Sequence, residues 1–198
     1  MRIVLRALRV LAIVTLSTAM ASSAEAQIKL RGMARLGAEM GGEKVIEFQY
    51  ADGSTPSMTS GGGLVVTGGL AFGLLNALDA QVNAGWKYRT IPKASNQEAS
   101  WSRFPVEGLL FYRLPLGLRV GGGATMHLNN VLEASGATLN TRLEFKNNPG
   151  FLFQAEYAMR NISLDVRYTM MKYEVESGGS GTVDANSLGA GFSIMFGR

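Results

Sequence analysis

Apolar residues alternate with small or polar ones, period two, along about eight stretches of roughly ten residues each in this 198-residue chain. That spacing belongs to a β-strand, whose successive side chains point to opposite faces, and no stretch holds a convincing 3.6-residue helical period. The first stretch sets Ile28, Leu30, Ala34, Leu36, Ala38 and Met40 against Lys29, Arg31, Met33, Arg35 and Glu39. Another sets Val82, Ala84, Trp86 and Tyr88 against Gln81, Asn83, Lys87 and Arg89. The last sets Leu188, Ala190, Phe192, Ile194 and Phe196 against Ser187, Gly189, Gly191, Ser193 and Met195. About ten residues is the length a tilted strand needs to cross a bilayer.

The connections support the same reading. Short turns fall at Asn76-Ala77, Leu114-Pro115-Leu116-Gly117 and Arg160-Asn161, and long polar links occupy residues 41–61, 90–102, 130–148 and 176–186. Transmembrane barrels have this asymmetry, with short periplasmic turns and longer extracellular loops. Within the first long link, Lys44 to Tyr50 alternates again and Asp52-Gly53 is a hairpin signal. A ribbon continuing beyond the membrane, kinked near Gly41-Gly42, is therefore expected.

Alternation leaves open which face is outside, because a soluble lipocalin-like barrel has the same period with its apolar side chains turned inward. The composition of the polar face decides. It is mostly Gly, Thr, Ser, Asn and Gln with a few charges of both signs, unlike a solvent-facing wall. The opposite face is bulky and nearly charge-free, as lipid contact requires. The sequence thus predicts an all-β fold: a closed antiparallel up-and-down transmembrane β-barrel of about eight strands. Closure is required because hydrocarbon offers no partner to an unpaired strand edge.

Residues 1–26 read as a helical signal peptide and 27–198 as the barrel domain. Arg2, Arg6 and Arg9 precede the apolar run Val10–Leu16, and Ala24-Glu25-Ala26 forms a cleavage-type ending. The uncharged run is too short for a permanent helical span. The chain has no cysteine, which excludes disulfides, thiolate chemistry and a cysteine-linked lipid anchor. Beyond residue 26 there are 16 basic and 14 acidic residues, a net charge of +2, with no basic run that could track a phosphate backbone; nucleic acid is not an expected partner. All 25 glycines lie beyond residue 26, interleaved with Leu, Val, Phe and Tyr, which fits tight turns and close strands rather than disorder.

Several groups of residues are candidates for a role. Arg31, Arg35, Glu39, Glu107, Arg119, Glu156, Asp165 and Arg167 fall on the inner face and are read as a structural luminal ion-pair network, joined by Arg103. An acid–base carboxylate pair, Glu107 with Glu156, is the competing reading. Arginines match or outnumber the acids, which favours the network. His127, the sole histidine, and Asn129 form a candidate polar rim site. Outer-membrane lipid A deacylases carry a serine two residues after such a histidine, and here that position is Asn129. One histidine without cysteine makes a metal site unexpected, and no cofactor is implied. Gly121-Gly122-Gly123 follows no phosphate-loop spacing. Trp86, Tyr88, Tyr112 and Phe196 are read as lipid-interface aromatics.

Four segments, GGEKVIEFQYADGS (41–54), SRFPVEGLLFYRL (102–114), LRVGGGATMHLN (118–129) and LDVRYTMMKYEV (164–175), resemble a family of small outer-membrane β-barrel proteins of proteobacteria with the OmpA/OmpX-like architecture. The resemblance implies fold and location but no activity, so it assigns no functional residue. The expected role is non-enzymatic, in surface interaction or envelope integrity. A narrow channel or hydrophobic-ligand conduit is one alternative, and a lipid A-modifying enzyme a second. Expected partners are outer-membrane lipid and lipopolysaccharide, periplasmic chaperones and the outer-membrane assembly machinery, with the chain a monomer.

Overall fold

The computed structural model describes residues 29–50, 52–94, 97–136 and 140–197, so the signal-peptide reading of residues 1–26 lies outside the described residues. Thirteen strands are described: β1 (Leu30–Met40), β2 (Lys44–Glu47), β3 (Ser57–Thr59), β4 (Gly63–Leu75), β5 (Leu78–Ala94), β6 (Gln97–Arg113), β7 (Leu118–Ser135), β8 (Asn140–Phe145), β9 (Pro149–Met159), β10 (Ile162–Met170), β11 (Lys172–Ser177), β12 (Thr182–Asp184) and β13 (Ser187–Phe196). Eight of them, in the order β1-β4-β5-β6-β7-β9-β10-β13, are antiparallel neighbours. Pairing of β13 back onto β1, from Gly32↔Phe196 to Met40↔Leu188, closes the ring. The predicted eight-stranded barrel is the observed one.

Sidedness is visible in the burial pattern. Leu36, Leu64, Val82, Leu110, Phe153, Leu164 and Ile194 are exposed on the outside, while Arg35, Glu39, Gln81, Lys87, Glu107, Arg119, Glu156 and Arg167 are buried inside. Water would not tolerate such an exterior, and hydrocarbon requires it. A lipocalin-like barrel would be the reverse. The interior at membrane height is not wholly polar, since Leu109, Phe111 and Leu152 pack together there.

The wall continues above the membrane zone, where its chemistry inverts. On β6 the inward positions are Glu107 and Arg103 below, then Trp101 and Ala99 above; the outward positions pass from Leu110, Val106 and Phe104 to Ser102, Ser100 and Glu98. The strand keeps its phase while the two faces exchange character. On the β10–β11 line, inward Asp165, Arg167 and Thr169 give way to Met171 and Tyr173. The result is an upper storey with a core of Phe48, Met58, Ile91, Trp101, Leu132, Phe145, Met171 and Tyr173, built like a soluble protein.

This corrects the reading of three long links as polar loops. Residues 90–94 and 97–102 extend β5 and β6, residues 130–135 and 140–145 form the β7–β8 hairpin, and β11 and β12 enclose a short turn. Their outer faces are polar, which lowers local hydropathy and hides strands whose inner faces remain apolar.

The expected kinked ribbon is present as the β2–β3 hairpin, with Gly41 and Gly42 at φ 122° and 79°, a region only glycine enters freely. It does not stand free, because its Phe48 and Met58 are buried in the upper core. In its turn, Ser54 donates from its hydroxyl (2.6 Å) and amide (2.9 Å) to Asp52, which holds that carboxyl below its ordinary pKa.

The inversion makes a prediction about position rather than residue type. Val82→Arg, on the outward face at mid-membrane, should cost about 2–4 kcal/mol of stability in lipid. Thr90→Arg, eight residues along the same face of β5, should change it by no more than about 0.5 kcal/mol. Urea unfolding in phospholipid vesicles measures both.

Candidate functional site

Strand register brings the inward charges together. Arg35 on β1 faces Asp165 on β10 across the intervening β13, donating through Nη2 at 2.7 Å and Nε at 3.0 Å, with both side chains fully buried. Gly37 and Gly191 make the space, since a Cβ on either would lie 2.6–2.8 Å from the guanidinium. Glu39 takes Lys87 at 2.7 Å and a hydroxyl from Ser187 at 2.8 Å. Arg167 donates to Glu107 at 2.8 Å and to the Gln154 amide oxygen at 2.6 Å, and lies 3.7 Å from Glu39. Arg119 bridges Glu156 and Asp79, and Arg113 pairs with Asp79 from the short-turn end.

Of the eight residues predicted for this network, Arg35, Glu39, Glu107, Arg119, Glu156, Asp165 and Arg167 make these contacts. Arg31 lies lower, at the mouth beside Asp79 and Arg113, and makes no ion pair among the described residues. Glu107 and Glu156 are separated by their cations: Glu107 is held by Arg167 and Asn83, Glu156 by Arg119 and Gln154. Carboxylates so occupied offer neither a free acid nor a free base.

Arg113, Asp79, Lys87 and Gln154 were missed as network members. Asp79 is the second residue of β5, just after a turn. Lys87 stood on the inner face beside Arg89, but only the register shows it reaching Glu39. Gln154 is uncharged. Arg103, on the inner-face list, instead donates to the carbonyls of Ser60 (2.5 Å) and Gly62 (2.6 Å) while its guanidinium lies 4.7 Å from the Trp101 ring centre. It joins the polar plug below to the apolar storey above.

His127 and Asn129 do not form a rim site. Asn129 adopts a left-handed φ of 45° at a bulge, where β7 advances three residues from Leu128 to Val131 while β6 spans Ser102 to Phe104. The phase slips by one, so Asn129 is exposed and Asn130 turns inward to accept from Trp101 Nε1 at 2.6 Å. His127 Nδ1 lies 2.5 Å from the Tyr173 hydroxyl, and both are buried. The position two residues after the histidine is Asn129, not serine, and among the described residues no group of three His, Asp or Glu is placed to hold a metal.

The predicted interface aromatics lie near the two rims. Trp86 and Tyr88 sit together at the long-hairpin end, 5.0 Å between ring centres, and Trp86 donates to the Ser102 hydroxyl at 2.8 Å. Tyr112 and Phe196 are exposed at the short-turn end. Tyr157 joins them there, and Phe104, Phe151 and Tyr168 join the upper group.

No protein-family model and no curated protein sequence matches the chain. Solved structures do. The attachment invasion locus protein Ail of Yersinia pestis superposes with a TM-score of 0.51 at 10% identity, over 84% of this chain and 97% of Ail. Ail in complex with the heparin analogue sucrose octasulfate gives 0.50 at 11% identity, over 85% and 99%. Neisserial surface protein A gives 0.50 at 14%, over 84% and 97%. At such identities the likeness establishes the fold, that of small outer-membrane β-barrels.

A buried pair is costly to break from one side only. Asp165→Asn should destabilise the barrel by about 3–5 kcal/mol, because Arg35 is left buried without its counter-charge, and the double replacement Arg35→Met with Asp165→Leu should recover most of that loss. Urea titrations of the vesicle-inserted variants measure the coupling.

Proposed function

We propose that this chain is a non-enzymatic outer-membrane protein that acts at the cell surface through its upper storey, in contact with other molecules or in shielding the envelope. In this reading residues 1–26 direct export and are removed. Chaperones and the assembly machinery then deliver a monomer to a bilayer of lipopolysaccharide and phospholipid, with the short turns periplasmic. The charged network, Arg31 included at its mouth, is structural. One observation carries the reading: side chains of opposite charge interlock across the lumen and an apolar core lies directly above them. An eight-stranded interior filled in this way leaves no passage for solute, so what the barrel does falls to its exterior.

The segments of the upper storey, residues 41–62, 89–102, 129–148 and 171–186, hold nine acidic and six basic residues. An acidic surface repels polyanions, so the sulfated sugar bound by Ail is not the kind of partner expected here. A neutral or basic surface is. A second reading, a site for a small hydrophobic molecule, draws support from a recess of about 490 Å³ between Pro149, Phe151, Met170 and Met171.

Planar-bilayer recording of the purified protein separates surface action from conduction. The expected trace has no steady conductance at any voltage. Reproducible single-channel steps would defeat the surface reading and favour the conduit.

A further inference from the structure

The periplasmic end of the barrel carries more cations than its acids can satisfy. Arg113 and Arg119 both turn to the buried Asp79, at 2.7 Å through Arg113 Nε and 3.4 Å through Arg119 Nη1, and Arg119 also reaches Glu156. Arg31 and Arg160 have no ion pair among the described residues. All four arginines line one recess of about 200 Å³. Four guanidinium groups face two carboxylates there. In addition Nε of Arg119, a side chain 5% exposed, has no hydrogen-bond acceptor.

We propose that this recess binds a phosphate group. Guanidinium forks match phosphate oxygens in pairs, and Arg113 and Arg119 are already held in place by Asp79, so little ordering is needed when an anion arrives. The volume suits a phosphate and its linker rather than an oligosaccharide, being several times the roughly 30 Å³ share of one water. The lip indicates the form of the ligand. Leu118 belongs to the recess and also to the outer face, where it is 43% exposed. The recess therefore opens where the lumen mouth meets the periplasmic leaflet. A phospholipid headgroup can enter there with its acyl chains left along Leu118. A free phosphate from the periplasm has the same chemistry and would use the same donors.

The inference rests on the membrane placement proposed above but not on the surface role. Native mass spectrometry of the protein in zwitterionic detergent, supplied with phosphatidylglycerol or phosphatidylcholine of equal chain length, tests it. The expected result is about tenfold preferential retention of phosphatidylglycerol, equivalent to about 1.4 kcal/mol. That preference should fall below about threefold in Arg31→Ala/Arg160→Ala, whose removed side chains make no ion pair and leave the wall intact. Arg31→Lys/Arg160→Lys, which keeps charge but loses the paired donors, should also weaken it. Phosphorus NMR with inorganic phosphate covers the soluble source. Saturable binding lost in the alanine variant, without lipid preference, supports the recess with a free anion as ligand. Retention equal for the two lipids with no phosphate binding would overturn the proposal. So would a lysine variant indistinguishable from wild type, which would mean diffuse rim charge only. A gel shift between unboiled and boiled samples checks every variant, so loss of the barrel is read separately from loss of the site.

Discussion

A backbone amide or carbonyl without a partner in hydrocarbon costs several kcal/mol, and every other feature of this chain follows from avoiding that cost. Pairing of β13 with β1 removes the last open edge. A closed eight-stranded ring has a narrow interior, and its strands alternate, so half of all side chains must enter that interior. The outer half is then free to be apolar. The inner half must be polar enough to leave the outer face as the only apolar one, and compact enough to fit.

The charged network answers both demands. Arg35 with Asp165 and Lys87 with Glu39 each reach over one intervening strand, and Arg167 with Glu107 over two, so the pairs tie together strands that are not adjacent in the ring. Such pairs specify register, since a slip of one residue would send every charge to the lipid face. Above the membrane the same strands meet water on the outside. Their inner face then becomes an ordinary apolar core, with Arg103 and Trp101 at the junction.

Much of this was legible in the sequence, for a physical reason. Strand phase is a local property, so the inward placement of Arg35, Glu107 and Arg167 could be read from period two alone. Sidedness was legible because a lumen prefers Gly, Thr, Ser and Asn where a soluble exterior prefers Lys and Glu. Pairing was not legible, because it depends on register across strands far apart in sequence; Lys87 reaches Glu39 over 48 positions. Nor was the upper storey. Residues 97–102 alternate, with Ala99 and Trp101 inward, but their outward Glu98, Ser100 and Ser102 are polar, so their low average hydropathy reads as loop. Asn129 misled for a local reason: its left-handed backbone shifts the phase of β7, and an asparagine tolerates that conformation without announcing it.

The two tryptophans of the chain allow the inversion of sidedness to be measured directly. Trp86 is 44% exposed on the lipid face, and Trp101 is fully buried in the upper core. In Trp101→Phe, fluorescence of the remaining Trp86 should be quenched strongly by lipids brominated near the headgroup end of their acyl chains. In Trp86→Phe, fluorescence of Trp101 should be indifferent to the same lipids. Quenching of Trp101 with Trp86 unaffected would mean that the apolar faces do not meet the bilayer, and would contradict the account at its base.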